Sequence, residues 1–165
     1  MKRFLLLYIV YMVIAFVLVD YEPVRQALKL DHYYTGAVVA LSAWLIDLIG
    51  IPVTAHGAYL QLHHAVMEVK FGCNGLEAIL LYVAAVLAYP AGWKLRLVGI
   101  VAGSAVLQVL NIVRIGVLAW VLEYHQQNFA LMHEYVTQSI MIALAFLVFL
   151  FYLQATEHEI ETARA

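Results

Sequence analysis

The chain has 165 residues, of which 65% are hydrophobic and only 12% charged, and its mean hydropathy is +0.89. A chain of that length and polarity cannot cover a water-facing surface, so composition excludes a soluble domain and indicates an integral membrane protein. The net charge of -2 and nine scattered Lys and Arg exclude a nucleic-acid surface, and a single cysteine excludes an internal disulfide.

Five runs are apolar and long enough to cross a bilayer as helices: about 4–19, 36–51, 75–90, 95–122 and 139–153. None alternates in polarity, as the strands of a membrane barrel would. The expected fold is therefore an all-α integral membrane protein of about five transmembrane helices, a single embedded domain over residues 1–165. The first run resembles a signal peptide, but no small-x-small site precedes Asp20 and Glu22, so it is expected to stay as a span.

Orientation is read from Lys and Arg near span ends. With the amino terminus outside, Arg25, Lys29, Lys94, Arg96 and Arg164 fall inside and Lys2, Arg3 and Lys70 outside. A re-entrant segment near 36–51 would reconcile Lys2 and Arg3 with the cytoplasm. The turn PAGWKLR, residues 90–96, is expected on the cytoplasmic side.

Between the second and third runs, PVTAHGAYLQLHHAVMEVKFG (52–72) is too polar to cross. Its MEVKF segment alternates apolar and charged residues, as a half-exposed strand does. A small external β-hairpin is expected here, delivering the chain to Cys73.

Cys73 lies 20 residues before Trp93 in the basic turn, and Arg114 lies 21 after it. Two antiparallel helices with arms of about 30 Å bring thiol and guanidinium to one depth. The external stretch EYHQQNFALMHEY then returns with His125 and His133. A thiol becomes nucleophilic as the thiolate, favoured by a nearby cation and by a helix amino terminus; Cys73 is placed for both, and its pKa is expected to fall. Gly72 and Gly75 allow a tight entry and close substrate approach. Asn111 lies three residues before Arg114 on the same helix face, and the two could present donors to a peptide carbonyl or an oxyanion. His133 would move the proton. Glu77, four residues after Cys73, reads as a helix-start charge.

The histidines allow another constellation. His56, His63, His64, His125 and His133, with Glu68, Glu123 and Glu134, offer zinc ligands, but no HExxH or paired CxxC occurs. His63 and His64 would point to opposite faces of a strand. Titratable loop histidines are the preferred account, and no metal or cofactor is expected.

Cys73-Asn74-Gly75 at the start of a span, Asn111-Ile112-Val113-Arg114 and His133 together resemble the exosortase and archaeosortase group of membrane-embedded cysteine transpeptidases or proteases, over about residues 36–153. The compact length is similar to that of a short branch such as exosortase H. Asn74 stands where Ser or Ala is more usual in the family. The resemblance implies Cys73 as nucleophile, with Arg114 and His133 as its catalytic partners; Asn111, Asn74 and Gly75 are expected to support substrate or oxyanion. It also implies a multi-pass bacterial inner-membrane enzyme with an external active site. Its partners would be exported proteins carrying a carboxyl-terminal motif, hydrophobic helix and basic tail, the lipid bilayer, and an acceptor amine, with no nucleic acid. The rival readings are a non-catalytic membrane assembly subunit and a membrane metalloprotease.

Overall fold

The computed structural model describes residues 2–21, 23–24, 33–70 and 72–162. Arg25, Lys29 and Arg164, on which part of the orientation reading rests, lie outside the described residues. Five helices longer than ten residues are described: α1 (Lys2–Asp20), α2 (Thr35–Leu48), α3 (Leu76–Ala88), α4 (Trp93–Tyr124) and α5 (Thr137–Thr162). Each falls on one of the five apolar runs.

Their lengths are unequal, and this shapes the molecule. Three helical stretches are long and apolar enough to cross a membrane: Lys2–Val19, Trp93–Tyr124 and Gln126–Glu157. The other two, α2 with 14 residues and α3 with 13, rise only about 20 Å, short of a hydrocarbon core of about 30 Å. The sequence reading makes these two runs longer because apolar residues continue past the helix ends. Gly50, with φ +85°, ends the first of them, and the extended Tyr89 ahead of Pro90 ends the second.

The expected hairpin carries one strand more. Strands β1 (Thr54–His56), β2 (Tyr59–Gln61) and β3 (Val66–Glu68) form an antiparallel meander in the order β1-β2-β3. Leu60 pairs with Met67, and both are buried, whereas their neighbours Tyr59, Gln61, Val66 and Glu68 face outward. The alternation in MEVKF therefore has the predicted period, with Met67 and Val69 on the inner face.

Two apolar cores result. One gathers Val38, Val39 and Ile46 of α2, Leu60, Met67 and Val69 of the sheet region, and Ile115, Leu118 and Ala119 from the second half of α4. The other gathers Tyr82 and Val86 of α3, Leu107 of α4, and Met141, Ala145 and Phe149 of α5. Helix α3 packs against α1, α4 and α5, while α2 packs against α4 and the sheet. Among the described residues, only α4 supplies buried residues to both cores. Its residues between Leu107 and Ile115 cross from one to the other, and Asn111 and Arg114 occupy that crossing.

Candidate active site

The loop from sheet to α3 is built from glycine and asparagine. Gly72 has φ +93° and Gly75 φ +84°, left-handed conformations that L side chains rarely adopt. Gly75 is required twice over, because a Cβ there would stand 2.8 Å from Cγ of Asn111. Asn74 turns inward and is 2% exposed. Its Oδ1 accepts from Leu76 N–H at 3.1 Å, satisfying an open donor of α3, and its Nδ2 donates to Thr35 Oγ1 at 3.2 Å. The carboxamide of Asn74 thus shapes the loop and ties it to α2.

Donors from α4 meet the loop's carbonyls. Asn111 Nδ2 donates to Cys73 O at 3.2 Å, and Arg114 Nη1 reaches Gly72 O at 3.4 Å. One turn earlier, Gln108 Nε2 approaches Asn74 O at 3.4 Å, and Gln108 Oε1 accepts from the Tyr34 hydroxyl at 2.6 Å. Asn111 is fully buried and Arg114 is 8% exposed. The equal arms counted from Trp93 do bring Cys73 and Arg114 together. The arm of α3 is only 13 residues long, and the extended residues around Tyr89 make up the distance by rising faster per residue than a helix.

His133 completes the cluster. Its Nδ1 and Nε2 lie 3.4 and 3.5 Å from Cys73 Sγ, so the sulfur faces the edge between the two nitrogens and a small ring rotation aligns either one. Phe129 stacks on the ring at 5.5 Å with planes 4° apart. His133 sits in a single π-helical turn, Met132–Val136, ahead of α5, a local widening that redirects side chains. His125 instead lies beside Trp120, ring centres 5.1 Å apart, at the end of α4. Of the two imidazoles, His133 is the one that meets the thiol.

Thr137, not singled out in the sequence, links cation and imidazole. Its Oγ1 accepts from Arg114 Nε at 3.0 Å and donates to His133 O at 3.4 Å. The signal was there to find: Thr137 follows His133 by four residues, one helical turn. A cleft of about 370 Å3, lined by Glu68, Lys70, Gly72, Cys73, Arg114, His133, Glu134 and Gln138, opens onto the cluster.

The thiol's resting state departs from the expected depression. Burial pushes the Cys73 pKa above its ordinary value; Arg114 pulls it down, and Glu77 pushes it further up. The helix-start carboxylate is close enough to matter, because a Cβ on Gly72 would lie 3.4 Å from its Oε1. The balance at Cys73 therefore favours the thiol over the thiolate at neutral pH.

With this geometry in view, comparison with known families places the chain. The model for the family described as transmembrane exosortase matches residues 2–152. The chain belongs to that family and is a multi-pass membrane protein. No curated protein and no solved structure is similar enough to the chain to be matched.

Two outcomes follow. The alkylation rate of Cys73 by iodoacetamide in detergent micelles should rise with pH through a midpoint above the ordinary thiol range of about 8.5. Glu77→Gln, which removes a charge that opposes the thiolate, should move that midpoint to lower pH; an unmoved midpoint would remove Glu77 from the account. Separately, Gly75→Ala should destabilise by roughly 1–3 kcal/mol in thermal unfolding. Gly50→Ala, at the similar φ of +85° but with nothing within 4 Å of its Cβ, should cost less. Equal losses would mean that the approach of Asn111 contributes nothing.

Proposed function

We propose that this exosortase-family protein is a membrane cysteine peptidase or transpeptidase that cuts a carboxyl-terminal sorting signal of exported proteins. The observation that carries the reading is the contact of Cys73 Sγ with both ring nitrogens of His133, beside the buried Arg114.

In this reading His133 removes the thiol proton as the substrate carbonyl docks. Sulfur attacks the carbonyl carbon, the C=O π pair moves onto oxygen, and Arg114 offsets the developing negative charge. The tetrahedral adduct collapses as the C–N bond breaks, and His133 returns its proton to the leaving amine. A thioester on Cys73 remains. An acceptor amine then attacks the thioester to form a new amide and regenerate the thiol; water in its place gives hydrolysis. Because the resting thiol is protonated, ionisation is coupled to substrate binding, when water leaves the cleft and His133 and Arg114 become the sulfur's nearest polar neighbours.

The hydrophobic helix of the substrate has grooves to lie in. One lies between α1, α3 and α5, where Phe4, Tyr8, Leu81, Tyr82, Phe146 and Phe149 line an apolar recess of about 220 Å3. Another, of about 320 Å3, runs along α4 and α5, where Ala102 and Ala155 line it and small side chains let a helix approach closely. Packing there would hold the scissile bond at the thiol. The proposed setting is a bacterial inner membrane with the sheet and Cys73 on the outer side and the basic turn around Lys94 and Arg96 inside.

The test is co-expression with a tagged exported protein bearing a motif, a hydrophobic helix and a basic tail. Cys73→Ala should lower processing by at least about a thousandfold, and His133→Ala by about 10²–10⁴-fold. Arg114→Lys should also be impaired, because an ammonium cannot reproduce the fork that spans Thr137 and Gly72. A hydroxylamine-sensitive adduct should accumulate on Cys73 when no acceptor is supplied. Wild-type processing by Cys73→Ala would overturn the enzyme reading and move the chain to the class of non-catalytic membrane subunits.

A further inference from the structure

His63 and His64 do not lie on opposite faces of a strand. The chain turns between β2 and β3, and both side chains swing to one side, with ring centres 4.2 Å apart and planes at 78°. Nδ1 of His63 stands 3.0 Å from Nε2 and 3.3 Å from Nδ1 of His64. Both rings face Glu123, which is 59 residues further along the chain. His64 Nδ1 is in close contact with Glu123 Oε1, His64 N–H donates to Oε2 at 3.0 Å, and His63 Nδ1 lies 4.0 Å from Oε1.

Glu123 is poorly placed for a carboxylate on its own. Its side chain is only 3% exposed, and it lies in the last turn of α4, where the helix dipole disfavours negative charge. The imidazoles are 67% and 61% exposed, so the cluster has a buried anionic floor and an open mouth. One candidate donor atom from each residue falls within 4.8 Å of the others. Metal bonds of about 2.0–2.1 Å at tetrahedral angles separate donors by about 3.3 Å, and His63 Nδ1 lies 3.3 Å from His64 Nδ1 and 4.0 Å from Glu123 Oε1.

We propose that His63, His64 and Glu123 form a binding site for a divalent transition metal of the zinc class, which staples the β2–β3 turn to the end of α4. Two imidazole nitrogens and one carboxylate oxygen make a donor set suited to borderline cations, not to magnesium or calcium. The metal would replace the hydrogen bond between His64 Nδ1 and Glu123, the neutral imidazole binding through Nδ1 with its proton on Nε2, and water would fill the fourth position at the open mouth. The site shares no residue with the thiol cluster. It bears on that cluster through the sheet, because β3 begins two residues after His64 and Val66, Met67 and Glu68 line a recess that also reaches Cys73 and His133. Fixing the turn would fix that wall.

The test uses the full chain in detergent micelles with any polyhistidine tag removed, titrated with cobalt(II) and then zinc(II). Cobalt should bind one per chain, giving the visible absorption of a tetrahedral nitrogen and oxygen site without a thiolate charge-transfer band, and zinc should displace it. Magnesium(II) should do neither. His63→Ala, which alters an exposed side chain, and Glu123→Gln should each weaken binding more than about 100-fold, beyond the 10–100-fold cost of losing a mere outer partner. Cys73→Ala should leave binding intact. Zinc should slow hydrogen exchange across residues 62–68 in the wild type and not in His63→Ala. The proposal is overturned if no saturable cobalt spectrum forms, if His63→Ala and Glu123→Gln bind as the wild type does, or if binding disappears in Cys73→Ala.

Discussion

The structure around Cys73 depends on two carbonyl oxygens that would otherwise lack donors. Where the chain leaves the sheet and enters α3 it makes a tight, left-handed loop, and inside an apolar protein each unpaired backbone oxygen costs several kcal/mol. Arg114 and Asn111 answer at Gly72 O and Cys73 O. The spacing of Asn111 and Arg114, one turn apart on a single helix face, matches the two successive carbonyls it must meet. The same two side chains thereby bring a fixed positive charge to the sulfur. Structural support and electrostatics are one interaction here, so removing either side chain disturbs loop and thiol together.

Charge at the thiol is then set by opposing effects, of which burial is the largest. Burial and Glu77 favour the neutral form, and Arg114 favours the thiolate. The balance favours the protonated sulfur at rest, with the imidazole of His133 at contact distance. Thr137 ties the guanidinium to the backbone that carries His133, since it accepts from Arg114 and donates to the main-chain carbonyl of His133.

Composition made the membrane class legible, because no arrangement of this chain hides so much apolar surface from water. Counting equal arms from Trp93 predicted that Cys73 and Arg114 meet, since helix rise is nearly constant and antiparallel neighbours share a turn. Other features depend on quantities that one-dimensional spacing does not carry. The inward turn of Asn74 follows from the φ values of the glycines beside it, and the raised thiol pKa follows from burial, which only the packed molecule defines. His63 and His64 were misread because alternation holds only inside a strand, and the chain leaves β2 at Gln61. The third strand was missed for a related reason: β1 is exposed at all three positions, so it has no apolar period to detect.

Helix length explains why the loop needs so many partners. Helix α3, at 13 residues, rises only about 20 Å, short of the hydrocarbon thickness that the 32-residue α4 is long enough to cross. At its amino terminus Asn74 Oδ1 accepts from Leu76 N–H, while Asn74 Nδ2 donates to Thr35 of α2, and Gln108, Asn111 and Arg114 of α4 donate to the loop carbonyls of Asn74, Cys73 and Gly72. The three-stranded sheet packs on α2 and the second half of α4 through Leu60, Met67 and Val69, and Cys73 packs against that same core. Cys73 thus lies against the core that holds Leu60, Met67 and Val69, with its carbonyl accepting from Asn111 of α4, its sulfur at His133, and the cleft that reaches Gln138 of α5 beside it.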